Sequence, residues 1–150
     1  MYHRIVRSRV LATFAHLNSY DYRSVVDTFS PHITHRFAGD HALGGMRHSR
    51  TAAQRWYERL FRLFPDLRFF VENIVVAGLP HHTQVAVQFR VELTDPVGER
   101  YENRVAQLIR IKWGKIVHID LYEDTSKLVR LLTMLSDCGT TEASAAPITD

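Results

Sequence analysis

Histidine can bind metals or carry protons near neutral pH, and this chain has nine histidines. His32 and His35 stand three residues apart on a predicted strand, which places their side chains on opposite faces. His81 and His82 follow Pro80 in a predicted hairpin turn. Neither pair has a cysteine or a carboxylate at the spacing of a metal site, so we predict no metal.

Nucleophiles and cofactor motifs are also scarce. The one cysteine, Cys138, ends the last predicted helix and is not expected to be a nucleophile. The sequence has no phosphate-binding glycine motif and no strand-to-helix turn around a nucleophilic serine. We therefore predict that the protein binds no cofactor.

Three polar residues share one face of the predicted strand 101–112. Tyr101, Asn103 and Gln107 lie on the same side because successive side chains of a strand point to opposite sides. On a concave face they would offer hydroxyl and amide donors to a ligand. On a convex face they would belong to a wet interface between subunits.

Arg90, on the preceding strand, is a second candidate for ligand recognition. If its guanidinium faces a pocket, it favours an anionic or carbonyl-bearing molecule. The alternative is a surface ion pair with Glu92 or Glu102. The sequence leaves both interpretations open.

Helices precede strands in the elements that must position these residues, which argues for an α+β fold rather than a doubly wound parallel sheet. Four consecutive strands joined by short turns indicate antiparallel hairpins. The apolar alternation at 85–93 predicts that the sheet face away from the helices is also covered, as by a second subunit. The predicted elements are helices at 6–17 and 22–30, a short strand at 33–37, a loop at 39–45, a helix between Ser49 and Pro65, strands at 67–77, 84–94, 101–112 and 115–123, and a last helix capped by Asp124 or Thr125.

The composition is that of a soluble globular protein, with 45% hydrophobic and 23% charged residues. We predict one domain over residues 1–138 and a disordered tail over 139–150, which is small, polar and without aromatics. No apolar run reaches the roughly 18 residues of a membrane helix, and arginines interrupt the N-terminal segment where a signal peptide would be apolar. We expect a cytoplasmic protein without a membrane partner.

The net charge of +3 comes mostly from arginines on predicted helices. Acidic residues balance most of this charge, which favours solvated helix faces over a nucleic-acid surface. We therefore expect no nucleic-acid partner.

Five segments of the chain resemble the SnoaL-like branch of the nuclear-transport-factor-2-like superfamily. The resemblance covers about residues 5–135 and implies a cone, in which a curved antiparallel sheet wraps around helices and a C-terminal helix follows. It also implies a pocket inside the cone and commonly a homodimer. The segments are the loop 39–45, the helix with Trp56, Phe64-Pro65-Asp66, Gly114-Lys115-Ile116 and Tyr122-Glu123-Asp124.

Ketosteroid isomerases of this fold place an aspartate base in the loop before the third helix. The resemblance puts His41, or its neighbour Asp40, at that position. A histidine suits the role because its ordinary pKa of about 6.5 lies near neutral pH, although His41 could instead bond only to backbone. The tyrosine and the protonated acid of these isomerases correspond to Thr13 and Gln107, and an amide can donate to an oxyanion.

SnoaL-like cyclases and epoxide hydrolases use an acid on the last strand, where this sequence has Leu121. Glu123 has the same parity and could place a carboxylate nearer the pocket mouth. The arginine and aspartate pair of the hydrolases corresponds to Gln88 and Arg90, so the aspartate is missing.

We therefore expect His41, Arg90, Gln107 and Glu123 to converge on one cavity. One hypothesis is an enzyme of isomerase, cyclase or hydratase type that moves protons on a small apolar carbonyl compound with a polar or anionic end. The other is a ligand-binding or dimerisation module without catalysis. The further predicted ligand contacts are Asp40, Gln88, Tyr101, Asn103, Ile119, Leu121 and Tyr57, the last of which also fits the apolar core face of its helix.

Overall fold

Four α-helices and a six-stranded sheet make up the computed structural model, which describes residues 1–150. Each helix is too short or too polar to cross a lipid bilayer. The helices are α1 (Tyr2–Asn18), α2 (Tyr22–Val26), α3 (Arg50–Leu63) and α4 (Thr125–Asp137). The strands are β1 (Phe29–Phe37), β2 (Gly45–Arg47), β3 (Arg68–Leu79), β4 (His82–Thr94), β5 (Arg100–Lys112) and β6 (Lys115–Glu123).

Side-chain caps fix the starts of α2, α3 and α4 at Asp21, Ser49 and Asp124, as the sequence predicted. Ser49 accepts a hydrogen bond from the Ala52 amide at the start of α3, and Asp124 accepts from Ser126 and Lys127 at the start of α4. Each cap satisfies backbone N–H groups that have no partner inside the helix. The helix α3 ends directly before Phe64 and Pro65, because a residue that precedes proline avoids helical backbone angles.

The sheet is mixed, with the order β2-β1-β6-β5-β4-β3. The strands β3 to β6 form the predicted antiparallel meander, while β1 runs parallel to β6. The helix expected up to Pro31 ends early, and β1 already begins at Phe29. Its register with β6 shifts between Phe29 and Thr34, the stretch in which Pro31 has no N–H to donate to the ladder.

One face of the long strands points towards the helices and forms the core. In β4, Val85, Val87 and Phe89 are buried, and the residues between them are exposed. This apolar stripe therefore packs against the helices, and it is not the covered outer face that we expected. The inner residues belong to one hydrophobic cluster of 33 buried residues.

Three phenylalanines join the first helix to the sheet. The ring of Phe14 on α1 lies 4.8 Å from Phe89 and 6.1 Å from Phe69, measured between centroids, and the last two rings lie 5.9 Å apart. Their tilted and edge-on arrangements are those that aromatic pairs prefer. The contact fixes α1 over β3 and β4, where it closes one side of the cone.

The C-terminal segment packs against α3, although its composition predicted disorder. A short 3-10 helix (Thr141–Ser144) places Glu142 beside Arg59 and Arg62, with N–O distances of 3.2 and 2.7 Å. The carboxylate of Asp150 accepts a hydrogen bond from the His48 amide. Charge pairing therefore supplies contacts that the apolar content of the tail could not.

Replacing Glu142 by alanine is expected to release the tail. Two arginines would lose their shared partner, and the free energy of unfolding should fall by about 1 kcal/mol, the upper range for exposed ion pairs. Limited proteolysis with mass spectrometry should then detect faster cleavage after residue 138, and urea denaturation should give the stability change. The Glu99→Ala variant, altered in an exposed turn, is the control. Equal cleavage of both variants would contradict this role of Glu142.

Candidate functional site

An apolar cavity lies between the inner sheet face and the helices α1, α3 and α4. Hydrophobic residues make up 23 of the 26 that line it. Its free volume is about 80 Å³, below the roughly 300 to 1,000 Å³ of pockets that enclose drug-sized ligands. A ligand of that size would need the walls to move outwards.

Six of the lining side chains carry polar atoms, and the indole of Trp56 is already engaged by the Leu43 carbonyl. The hydroxyl of Thr13 is engaged as well, because it donates to the Arg9 carbonyl in α1 at 3.0 Å. The other four are left to meet a ligand in an otherwise apolar space, and they come from α3, β5 and β6. These four are Tyr57, Tyr101, Gln107 and Glu123.

Glu123, near the end of β6, is the one carboxyl group that lines the cavity. Burial raises the pKa of Glu123 to about 8, and the neighbouring charge of Asp124 adds to the effect, while Lys127 opposes it. The low-dielectric surroundings disfavour the carboxylate, so the group keeps its proton at neutral pH. A carboxyl group that titrates this close to neutrality can both take up and release a proton.

Gln107 is a diagonal neighbour of Glu123 on the same face of the sheet. It pairs with Val87 on one side and Leu121 on the other, and Glu123 stands two residues beyond Leu121. Diagonal positions are roughly 7 to 8 Å apart, within the span of one small molecule. Gln107 is buried and lines the cavity, so its amide can act as a donor there.

Tyr101 is oriented by the residue two positions along β5. The amide nitrogen of Asn103 donates to the Tyr101 hydroxyl and to the Asp124 carbonyl, both at 3.0 Å. Burial raises the pKa of Tyr101, and the charge of Glu123 raises it further. The phenol therefore stays protonated and keeps its own hydrogen free to donate. Asn103 itself is buried without lining the cavity.

Tyr57 brings a hydroxyl to the cavity from α3. Burial raises the pKa of this phenol as well, with the charge of Arg47 acting in the opposite direction. Trp56 beside it lines the cavity too and donates from its indole to the Leu43 carbonyl at 2.7 Å. Ile119 and Leu121, two further predicted ligand contacts, also line the cavity.

Arg90 and Gln88 lie on the outer face of the sheet, so the predicted parity of Arg90 was wrong. Arg90 is three residues from Val87, the inward partner of Gln107 in β4, and an odd separation reverses the side on which a strand residue points. Its guanidinium lies 4.6 Å from the Phe70 ring and 3.5 Å from Glu92. This is the surface pairing that the sequence left open.

His41 braces its own loop and does not line the cavity. Its Nε2 lies 3.2 Å from the Ala38 carbonyl, and its Nδ1 accepts from the Leu43 amide at 3.3 Å. These partners correspond to a neutral ring with the proton on Nε2, and burial lowers the pKa of His41. Asp40 is exposed. The structure therefore does not bring His41 and Arg90 together with Gln107 and Glu123.

A buried arginine went unnoticed in the sequence. Arg47 on β2 is fully buried, donates to Nδ1 of His35 at 3.1 Å, and donates further to the carbonyls of Gly44, Gly45 and Ile148. Burial lowers its pKa to about 10. These bonds tie β1, β2 and the tail together, which is a structural task. The strand β2 has only three residues and follows a glycine-rich loop, so no periodic pattern in the sequence predicted the burial of Arg47.

Residues 10–119 match the family described as the SnoaL-like domain. This chain belongs to the SnoaL-like domain family. The match spans α1 to β6 and therefore includes most of the cavity. It confirms the family that the sequence resembled. No curated protein matches the chain.

Solved structures support the same fold for this SnoaL-like chain. The following three proteins are each under 25% identical to this chain in sequence, so their likeness shows the fold alone. TerC co-crystallised with polyporic acid has a TM-score of 0.69 and 16% identity, covering 81% of this chain and 93% of that one. An NTF2-like protein of unknown function from Burkholderia pseudomallei K96243 has a TM-score of 0.69 and 17% identity over 83% and 95%. IdmH from Streptomyces antibioticus, a candidate polyketide cyclase, has a TM-score of 0.67 and 18% identity over 87% and 97%.

Glu123→Gln is expected to stabilise this SnoaL-like domain at alkaline pH. The folded pKa of about 8 lies above the ordinary value of 4.5, so folding takes up a proton between these two pH values and stability falls as pH rises through them. A glutamine at position 123 does not titrate, so the variant does not lose this stability over this pH range. One pKa unit corresponds to about 1.4 kcal/mol. The difference in unfolding free energy between the variant and the parent should therefore favour the variant by a few kcal/mol more at pH 8.5 than at pH 4.5.

Chemical denaturation of the parent and the variant at both pH values measures this gain. Glu99→Gln, at an exposed turn position, is the matched control and should leave the pH dependence unchanged. A Glu123→Gln variant whose stability follows the same pH curve as the parent would show that Glu123 titrates normally.

Proposed function

We propose that this chain is an enzyme that removes and returns a proton next to a carbonyl group of a small, largely apolar compound. The observation that carries this proposal is the Glu123 carboxyl group, whose pKa is about 8, in a cavity lined almost entirely by hydrophobic residues. General bases work best when their pKa lies near the operating pH. The enzyme would use no metal and no cofactor.

Glu123 is the base in this proposal, in place of His41. Its ionised form takes a proton from the carbon next to the carbonyl group, and the negative charge moves to the carbonyl oxygen as an enolate. The same carboxyl group then returns the proton to a different carbon of the substrate, which completes an isomerisation. One carboxyl group suffices in this proposal because Glu123 lines the cavity in which the substrate would lie.

Gln107 and Tyr101 stabilise the enolate oxygen in this proposal. Both are neutral donors that line the cavity beside Glu123, and Asn103 already holds the Tyr101 hydroxyl in place. Donors fixed in an apolar site act strongly on developing charge, since they need no rearrangement during the reaction. The loss of one such donor typically costs about a hundredfold in rate or more.

Exchange of hydrogen for deuterium at the α-carbon of apolar ketones, such as 2-tetralone, tests the proposal without knowledge of the natural substrate. NMR should detect exchange that the parent accelerates and Glu123→Gln does not. The rate should rise with pH to a plateau above about pH 8, because the carboxylate is the active form. Gln107→Leu should lose about a hundredfold, and His41→Gln should stay close to the parent. An active Glu123→Gln variant would overturn the role of Glu123.

A binding module is the second candidate, and the small size of the cavity favours it. At about 80 Å³, the space as it stands holds only a small group, and no second acid or base lines it. In this case Gln107, Tyr101 and Glu123 would orient the polar end of a ligand. Ligand binding without any ketone exchange would distinguish this candidate from the enzyme.

We infer that the outer sheet face forms a homodimer contact. Val75, Ala86 and Leu108 lie in one row across β3, β4 and β5, and the two larger side chains are 57% and 49% exposed. Arg104 and Glu72 lie on the same face, so a second copy related by a two-fold axis can meet opposite charges.

Leu108→Glu is expected to convert the dimer into a monomer, because it places a charge in the apolar row. Sedimentation velocity at micromolar concentration measures the change. Val97→Glu is the matched control, because Val97 is 68% exposed in the turn between β4 and β5. A parent protein that sediments as a monomer would contradict the dimer.

A further inference from the structure

A second and larger space lies outside the cavity, between α1 and the turn that joins β5 to β6. Its volume is about 510 Å³, several times that of the cavity. We call it the α1 groove and define it by Ile5, Arg9, Ala12, Thr13, Trp113 and Ile116. None of the proposed roles of Glu123, Gln107 and Tyr101 uses this groove.

A single layer of side chains separates the α1 groove from the cavity. Val10, Thr13 and Ile116 line both spaces. Because the Thr13 hydroxyl donates to the Arg9 carbonyl, this residue needs no polar partner from either space. A ligand that displaced these three side chains would pass from the groove directly into the cavity.

The α1 groove is apolar on one side and cationic at its rim. The indole of Trp113 is 77% exposed, and Arg9 is exposed and forms no ion pair with the protein. The Arg9 guanidinium lies over the turn, 3.7 Å from the position that a Cβ of residue 114 would take. A Cβ at this position would make an ordinary van der Waals contact with the arginine.

No aspartate or glutamate lines the α1 groove. Residues 1–20 and 110–118, which form two of its sides, contain no acidic residue at all, although the chain has 16. The flanking carboxylate of Asp21 is engaged by Ser24 and lies 3.3 Å from His16. The fold thus leaves Arg9 at the rim of a groove that no carboxylate lines, which the overall charge balance of the sequence did not reveal.

We propose that the α1 groove is the entrance to the cavity and selects an elongated apolar molecule with an anionic end. Arg9 binds the anionic group, the chain of the ligand lies against Trp113, and the apolar body passes Val10, Thr13 and Ile116. The reacting part then reaches Glu123. The inner half of this assignment rests on the proposed function, whereas recognition by Arg9 does not.

A matched pair of probes tests the recognition by Arg9. The compounds 6-phenylhexanoate and 6-phenyl-1-hexanol share an apolar body and differ in the anionic end. The parent should bind the carboxylate more tightly, and Arg9→Gln should weaken binding of the carboxylate about tenfold, the lower end for the loss of one charge-assisted hydrogen bond. Binding of the alcohol should stay unchanged. Arg4→Gln, which removes the same charge from α1 outside the groove, is the control.

The route through the α1 groove is tested by filling it. Ala12 lines the groove, whereas Ala15 is exposed on the same helix outside it. Ala12→Trp should weaken binding of both probes, and Ala15→Trp should not. NMR of the nitrogen-labelled protein shows whether the phenyl group enters the cavity, because the side-chain amide signals of Gln107 should then shift. Gln107→Leu identifies these signals.

Three outcomes separate the two proposals. Equal affinities for the two probes, or equal losses in Arg9→Gln and Arg4→Gln, would overturn the anionic recognition. Probe binding that leaves the Gln107 signals in place would overturn the route into the cavity. Absence of ketone exchange, combined with intact discrimination by Arg9, would overturn only the catalytic role of Glu123.

Discussion

The alternation of side chains along β4, β5 and β6 is the constraint on which the site depends. Val87, Gln107 and Leu121 form one row across the three strands, so all three point into the cone together. Glu123 follows two residues later and reaches the same space. Because successive residues point to opposite sides, the same rule sends Arg90 outwards to Glu92 and Phe70. A one-residue change of register would exchange the cavity lining for the solvent face.

Burial of polar groups in the cone works against stability. The cavity holds one acid and three neutral donors among hydrophobic walls, and an unpaired polar group in such surroundings costs about 1 to 3 kcal/mol. The aromatic contact of Phe14, Phe69 and Phe89 and the continuous core offset this cost. The same burial moves Glu123 into the pH range in which a base is useful. A leucine at position 123 would remove the cost of burying this carboxyl group.

The sequence predicted the elements well where local chemistry determines them. Ser49 and Pro65 bounded α3, and alternation identified the long strands, because capping and periodicity act within a few residues. The sequence did not show which face of β4 points inwards. Gln88 and Arg90 lie on the same face as each other, and the register with β5 fixes which face that is. His41 does not line the cavity, because its ring bonds to the backbone of its own loop, and the sequence did not show this. The order of the tail and the burial of Arg47 depend on contacts between residues that are far apart in the chain, which local patterns do not reveal.

The parallel pairing of β1 with β6 has a consequence for how the chain folds. Arg36 pairs with Asp120, so most of the sequence must be synthesised before β1 acquires this neighbour. Until then the strand presents unpaired backbone groups and an apolar edge that can join another chain. Contacts between such distant segments also slow folding. The growing chain is therefore expected to depend on chaperones during translation, and a shortened version that ends before β6 should accumulate as aggregates.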